Sequence, residues 1–174
     1  MSQRAVQRVF IKTFGGFDVF VDGRQVHFSS EKAKEMLAVL VDKRGSSVSL
    51  SQMAWLLYEH SSEQTAKNNL RVIYYRLKKI LENHGINGIL IKKRGSYAVD
   101  ASSFTCDVYE FVEGNPAYVH LFLGNYMSGY EWGKDVVPYL NNLYCQYCET
   151  PMNGLSDQAH ETILSQVKKG GKRK

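Results

Sequence analysis

At 174 residues and 44% hydrophobic content, the chain can build one good core, or one core and a small appendage. No apolar run approaches the ~20 residues that span a bilayer, and no apolar segment follows the basic N-terminus, so neither a membrane protein nor a secretory signal is expected. Three cysteines suit a reducing cytoplasm better than a disulfide scaffold, and the net charge of +5 is unevenly spread. From Lys67 to Arg94 eight bases face Glu82 alone, a net of +7; from Gly95 to Val167 only Lys134 faces nine acids, a net of −8. Five more bases lie in the last seven residues. Positive charge concentrated in one stretch is the footprint of an anion-binding surface.

The first elements read as strands. Val9 to Lys12 and Phe17 to Val21 have extended patterns, the second alternating Phe17, Val19 and Val21 on one face. Asp22-Gly23 predicts a hairpin turn, with Val26-His27-Phe28 resuming the strand. Ser29-Ser30 offers an N-cap to an amphipathic helix over 31–43, carried by Ala33, Met36, Leu37, Leu40 and Val41 and ended near Gly45. Val48 predicts a short extended link. Ser49 with Gln52 forms a capping-box pattern for a helix that runs to about Tyr58.

A turn at Glu59-His60-Ser61 leads into the longest helix of the sequence. Ser61 with Gln64 suggests a second capping box, and His84-Gly85 a left-handed stop. Ala66, Leu70, Ile73, Tyr74, Leu77, Ile80 and Leu81 form one apolar stripe. The opposite face holds Thr65, Asn68, Val72, Tyr75, Arg76 and Lys79, a mixture of amide, methyl, phenol and cation. A solvated helix more commonly interleaves acids and bases in i,i+4 pairs. The mixture fits a surface laid against nucleic acid, where cations meet phosphate and Arg, Asn and methyl groups read base edges. A basic solvated helix without a ligand is the plain alternative. Two helices joined by a tight turn, the second basic outside and apolar inside, give a helix-turn-helix layout. Ile89 to Lys92 and Tyr97 to Val99 then predict a hairpin with the basic tip Lys93-Arg94-Gly95-Ser96.

The expected fold is therefore α+β: an N-terminal antiparallel sheet, three helices and a C-terminal hairpin wing over residues 1–100. A small, acidic all-α extension over 101–167 and a basic disordered tail over 168–174 follow. Helices are expected at 117–123, 134–149 and 156–168. This order, with Thr13-Phe14-Gly15-Gly16-Phe17, Asp22-Gly23, Lys34 to Leu40, the stretch Asn69 to Lys79 and Gly95-Ser96-Tyr97, resembles the OmpR-type winged-helix DNA-binding domain. More closely, it looks like the form at the head of bacterial transcriptional activators of the Streptomyces antibiotic regulatory protein type. The resemblance covers roughly residues 9–113. It implies a bacterial, two-component-like effector that binds double-stranded DNA at direct repeats and recruits RNA polymerase. It also implies that Arg76 contacts a base, Val72 a thymine methyl, and Arg94 the minor groove. Asn68, Arg71, Tyr75 and Lys79, with Lys92 and Lys93 of the wing, are expected on phosphates, and Lys67 joins them from the same basic run. Tyr74 is expected in the core.

In that family an all-helical activation domain of tetratricopeptide-like repeats usually comes next, but ~60 residues fall short of three repeat units. The aromatics Tyr118, Phe122, Tyr126, Tyr130, Trp132, Tyr139, Tyr144 and Tyr147 would leave such a fragment with an uncapped apolar face. Covering it with a second chain gives a weak homodimer with both long helices free; folding it back would mask the DNA face. The dimer is expected. A protein-interaction module acting through these aromatic helices is the alternative function.

Other chemistry has little to rest on. Cys145-x-x-Cys148 has no second pair for a zinc site, and its cysteines are expected to be buried in a helix. The five histidines show no HExxH or paired spacing, and no phosphate-binding glycine loop or nucleophile elbow is present. No catalytic residue, metal or cofactor is expected.

Overall fold

The computed structural model describes residues 8–149. β1 (Val9–Lys12) and β2 (Asp18–Val21) are antiparallel, with Val9 opposite Val21 and Ile11 opposite Val19, so the alternation that buries Val9 and Ile11 also buries Val19 and Val21. Asp22 and Gly23 both take positive φ, 48° and 79°, the geometry of a type I′ hairpin turn. The returning strand, β3 (Arg24–Gln25), lies earlier than Val26–Phe28. Val26 still donates to the Val19 carbonyl at 2.8 Å, but Val26 and Phe28 are buried as the chain turns toward the first helix.

α1 (Glu31–Asp42) is capped by Ser30, whose hydroxyl accepts from the Ala33 amide. It buries Ala33 and every residue from Met36 to Val41, and so forms the centre of the molecule. β4 (Val48–Ser49) is more than a link, because Val48 pairs with Tyr97 and Ser49 with Ser96. α2 (Leu50–Leu57) opens with the Ser49–Gln52 capping box in full. α3 (Glu63–Asn83) is capped by Ser62, not Ser61. Ser61 stays in the turn, its amide donating to Tyr58, while the Ser62 hydroxyl accepts from the Thr65 amide. The end is as expected: Ile86 donates to Leu81 and Gly85 to Glu82, the paired bonds of a Schellman stop.

β5 (Leu90–Lys93) and β6 (Ser96–Val99) form the hairpin, with Lys93 opposite Ser96 and Arg94-Gly95 at the tip. Leu50 donates to the Gly95 carbonyl at 3.1 Å, so the first turn of α2 holds the hairpin tip.

The segment after residue 100 differs most from expectation. It contributes a strand, β7 (Thr105–Cys106), parallel to β1, which completes a four-stranded sheet in the order β3-β2-β1-β7. α4 (Asp107–Val112) follows directly. α5 (Pro116–Val119) is a single turn in place of a helix over 117–123, and a 3-10 helix over Glu131–Val136 precedes α6 (Val137–Glu149). Pro138 falls in the first turn of α6, where a missing N–H breaks no helical bond. The expected helix over 156–168 and the tail lie outside the described residues.

This segment folds back, on a side that the expectation overlooked. Its residues 125–128 run beside Thr13–Gly15, with Met127 donating to Thr13 and Ser128 to Gly15. Phe14, Phe111 and Phe122 form an aromatic knot with centroids 5.2–5.5 Å apart. Tyr109 donates to the Val41 carbonyl and Tyr126 to the Asp42 carboxylate, fastening the segment to the end of α1. Phe122, Tyr126, Met127 and Leu140 thus share a core with the sheet, while the outer face of α3 stays open.

Candidate nucleic-acid interface

The outer face of α3 exists because its inner face is fully used. Ala66, Leu70, Ile73, Tyr74, Leu77 and Leu81 are buried against α1 and α2, with Ile80 half-buried beside them. Asn68, Arg71, Val72, Tyr75, Arg76 and Lys79 are left in solvent, with Val72 51% and Tyr75 60% exposed. A β-branched methyl pair and a phenol at such exposure gain little from the protein's own packing.

Electrostatics divide the cations of this face. Lys67 is half-buried and its Nζ lies 2.6 Å from Glu63, whose carboxyl is held below its usual range chiefly by the hydrogen bond from Lys67. Glu63 also accepts from Ser51 of α2, so this pair helps join the two helices. At the other end Lys78 and Lys79 share Glu82, and Lys79 is raised above the usual lysine range by that hydrogen bond. The helix therefore carries i,i+4 pairs at both ends, which qualifies the sequence-based picture of a face without acids. Among the described residues Arg71, Arg76, Lys92, Lys93 and Arg94 form no ion pair.

The central residues are ordered without being neutralised. Arg71 Nη1 donates to Asn68 Oδ1 at 2.8 Å, and Gln64 donates to the same oxygen at 3.3 Å. Lys79 Nζ also sits 5.6 Å from the Tyr75 ring centroid. These local contacts fix rotamers that would otherwise cost entropy to immobilise on a ligand.

The hairpin lysines point to opposite faces, as adjacent strand residues must. Lys92 lies over the Tyr74 ring at 5.6 Å, and Arg71 is near enough to pull the Tyr97 phenol back toward ionisation. Tyr74 is buried, as expected, and stacks on Tyr97; burial raises the pKa of both phenols. Arg71 and Lys92 are thereby gathered around one aromatic stack. Lys93 and Arg94 stand apart from that cluster at the hairpin tip, both exposed.

One surface was missed from sequence. Lys43, Ser47, Val48, Ser51, Gln52, Trp55 and Leu56 line an open groove of about 570 Å³ on α2, and Trp55 is 71% exposed. The signal was available: Trp55 falls off the helical stripe of Leu50, Met53, Ala54 and Leu57. Cys145 and Cys148 are exposed, against the expectation of burial, because α6 turns Leu140, Leu143 and Tyr147 to the core instead. No group of three or more potential metal ligands occurs among the described residues, and no helix there is long and apolar enough to cross a membrane.

Element order, the helix pair and the hairpin make this an α+β winged-helix fold. Among solved structures the chain is similar to Mycobacterium tuberculosis EmbR, determined in complex with a low-affinity phosphopeptide, with a TM-score of 0.64 at 21% sequence identity. The likeness is one of fold. It covers 82% of this chain but 43% of that one, so the chain spans less than half the length of EmbR. No protein-family model matches the sequence, and no curated protein matches it.

Proposed function

We propose that this chain is a sequence-specific regulator of transcription that binds double-stranded DNA, with α3 in the major groove and the β5–β6 hairpin as a wing toward the adjacent minor groove. The observation that carries the reading is the row Asn68, Arg71, Val72, Tyr75 and Arg76. It is open to solvent and partly pre-ordered, and it lies beside a hairpin whose cations form no ion pair among the described residues. Arg76 and Val72 are assigned to base edges, Arg94 to the minor groove, and Asn68, Arg71, Tyr75, Lys79, Lys92 and Lys93 to phosphates. Lys67 is assigned a lesser share, because Glu63 already holds it.

The fold shared with EmbR and the resemblance to the Streptomyces antibiotic regulatory protein type both support a bacterial regulator working in the cytoplasm. Contact with RNA polymerase and weak homodimer formation belong to the same proposal. The dimer now rests on narrower ground, since Phe122 and Tyr126 are buried in the chain's own core and Tyr130, Trp132 and Tyr147 are half-buried there. The same burial removes most of the aromatic surface through which a protein-interaction module would act.

Salt dependence tests the reading. If about six cations meet phosphates, log K against log salt falls with a slope of roughly −5. A slope near zero overturns DNA as the ligand.

A further inference from the structure

The DNA-binding proposal leaves one chemically distinctive pair unused. Cys145 and Cys148 are free, exposed and one helical turn apart on α6, so both thiols emerge on neighbouring ridges of the same helix. Tyr144 lies beside them, and its phenol is raised above the usual range chiefly by the neighbouring Cys148. The helix is firmly placed. Tyr147 donates to the Val112 carbonyl at 2.6 Å and meets Phe111 edge-on at 5.7 Å, while Leu140 is fully buried.

Geometry decides what such a pair can hold. Side chains at i and i+3 of an intact helix have Cβ atoms about 5–6 Å apart, whereas a disulfide needs about 3.5–4.5 Å. Closing a disulfide within α6 therefore requires the helix to distort. An ion bridging two sulfurs has the opposite preference: two metal–sulfur bonds of about 2.3 Å, the zinc–thiolate length, span about 4.6 Å in line. Zinc in a structural site takes four ligands, and no third His, Cys, Asp or Glu joins these two among the described residues. An ion content with two soft ligands fits, and thiolates select Cu(I) on softness. Cys106 is no competitor, since it is buried and its thiol is pushed far above the usual range by desolvation.

We propose that Cys145 and Cys148 form a two-coordinate chelate for a soft monovalent cation of the Cu(I) class. Binding converts two thiols and one cation into a bis-thiolate complex and releases two protons, so affinity rises with pH up to the thiol pKa range. The site is on the side of the molecule built by residues 101–149 and does not depend on the DNA-binding proposal.

The test is an anaerobic titration of the full chain with Cu(I) against a chromophoric Cu(I) chelator. The expected result is one ion per chain, with affinity falling at least about tenfold in both C145S and C148S, because each removes one of two soft ligands. C106S should bind as the parent does. Far-UV circular dichroism of the serine variants checks that the fold is intact, as expected for exposed positions. Absence of binding, unchanged affinity in either C145S or C148S, or loss of affinity in C106S would overturn the site. So would half an ion per chain with copper-dependent dimerisation, which would mean that two chains, not one helix, supply the sulfurs.

Discussion

Tyr74 of α3 stacks on Tyr97 of β6 with ring centroids 4.5 Å apart and planes 21° from parallel. This contact joins the long helix to the hairpin, and Lys92 and Arg71 sit around it. Removing it should loosen the hairpin and open the core together. Tyr97→Ala is expected to cost about 3–5 kcal/mol, as large aromatic truncations in cores do. Tyr97→Phe, which keeps the ring, should cost under about 1.5 kcal/mol. Urea midpoints for the two variants check this, and equal losses would show that the stack is not what holds the hairpin.

Reading and holding should separate along α3. Arg76→Ala is expected to lose about 1–3 kcal/mol on the preferred site and to relax its sequence preference, whereas Lys79→Ala should weaken all sequences alike. Competition binding against a randomised duplex pool measures both. Retained preference in Arg76→Ala would mean that the helix docks differently.

The Glu63–Lys67 pair gives a sharper electrostatic expectation. Glu63→Gln frees a cation that is now held at 2.6 Å and removes an acid from the first turn of the helix. Affinity for any duplex should rise and the salt slope should steepen by roughly one unit. A slope unchanged from the parent would place Lys67 away from phosphate.

The buried phenols predict behaviour at high pH. Tyr109 and Tyr126 both have pKa values raised far above that of a free phenol, first by desolvation, with Asp42 adding to the effect at Tyr126. Above about pH 10 the unfolded chain gives up these protons and the folded chain does not. The unfolded state then binds fewer protons, so stability falls as pH rises from there, and it is flat with respect to these groups at lower pH. Thermal melts between pH 8 and 11.5 should show the decline beginning near 10. Tyr126→Phe should be less stable at neutral pH, having lost its bond to Asp42, but should show a shallower alkaline decline.

Much of the winged-helix half was legible because its signals are local. The apolar stripe of α3, the Ser49–Gln52 box, the Asp22-Gly23 turn and the Gly85 stop each depend on a few neighbouring residues. What escaped depends on partners distant in sequence. Val48–Ser49 is a strand only because Tyr97 and Ser96 lie alongside it, and Thr105–Cys106 only because β1 does. The α3 cap moved by one residue because two adjacent serines compete, and the turn retains the first. The same limit applies to the exposed face of α3. Sequence periodicity identified which residues it holds, but not that Glu63 and Glu82 occupy Lys67 and Lys79.

The fold-back of residues 101–149 decides what a shortened chain should do. If this segment masked the DNA face, a chain ending at residue 100 would bind DNA more tightly. Instead the buried Asp107 carboxylate accepts from the amides of Thr13, Phe14 and Val108, tying the start of α4 to the strand-ending turn of β1. Truncation replaces the Asp107 carboxylate by water at the Thr13 and Phe14 amides, and each lost hydrogen bond to a charged group costs about 1.5–3 kcal/mol. It also strips Phe14 of Phe111 and Phe122. Those losses are a large fraction of the 5–15 kcal/mol that holds a domain of this size together. A chain of residues 1–100 should therefore melt early or aggregate. Asp107→Ala in the full chain should reproduce part of the loss, by about 3 kcal/mol or more, without touching α3. Circular dichroism melts and sedimentation of both proteins decide the matter. A stable, monomeric 1–100 chain with tighter DNA binding would show that the segment is a removable cover, not part of the core.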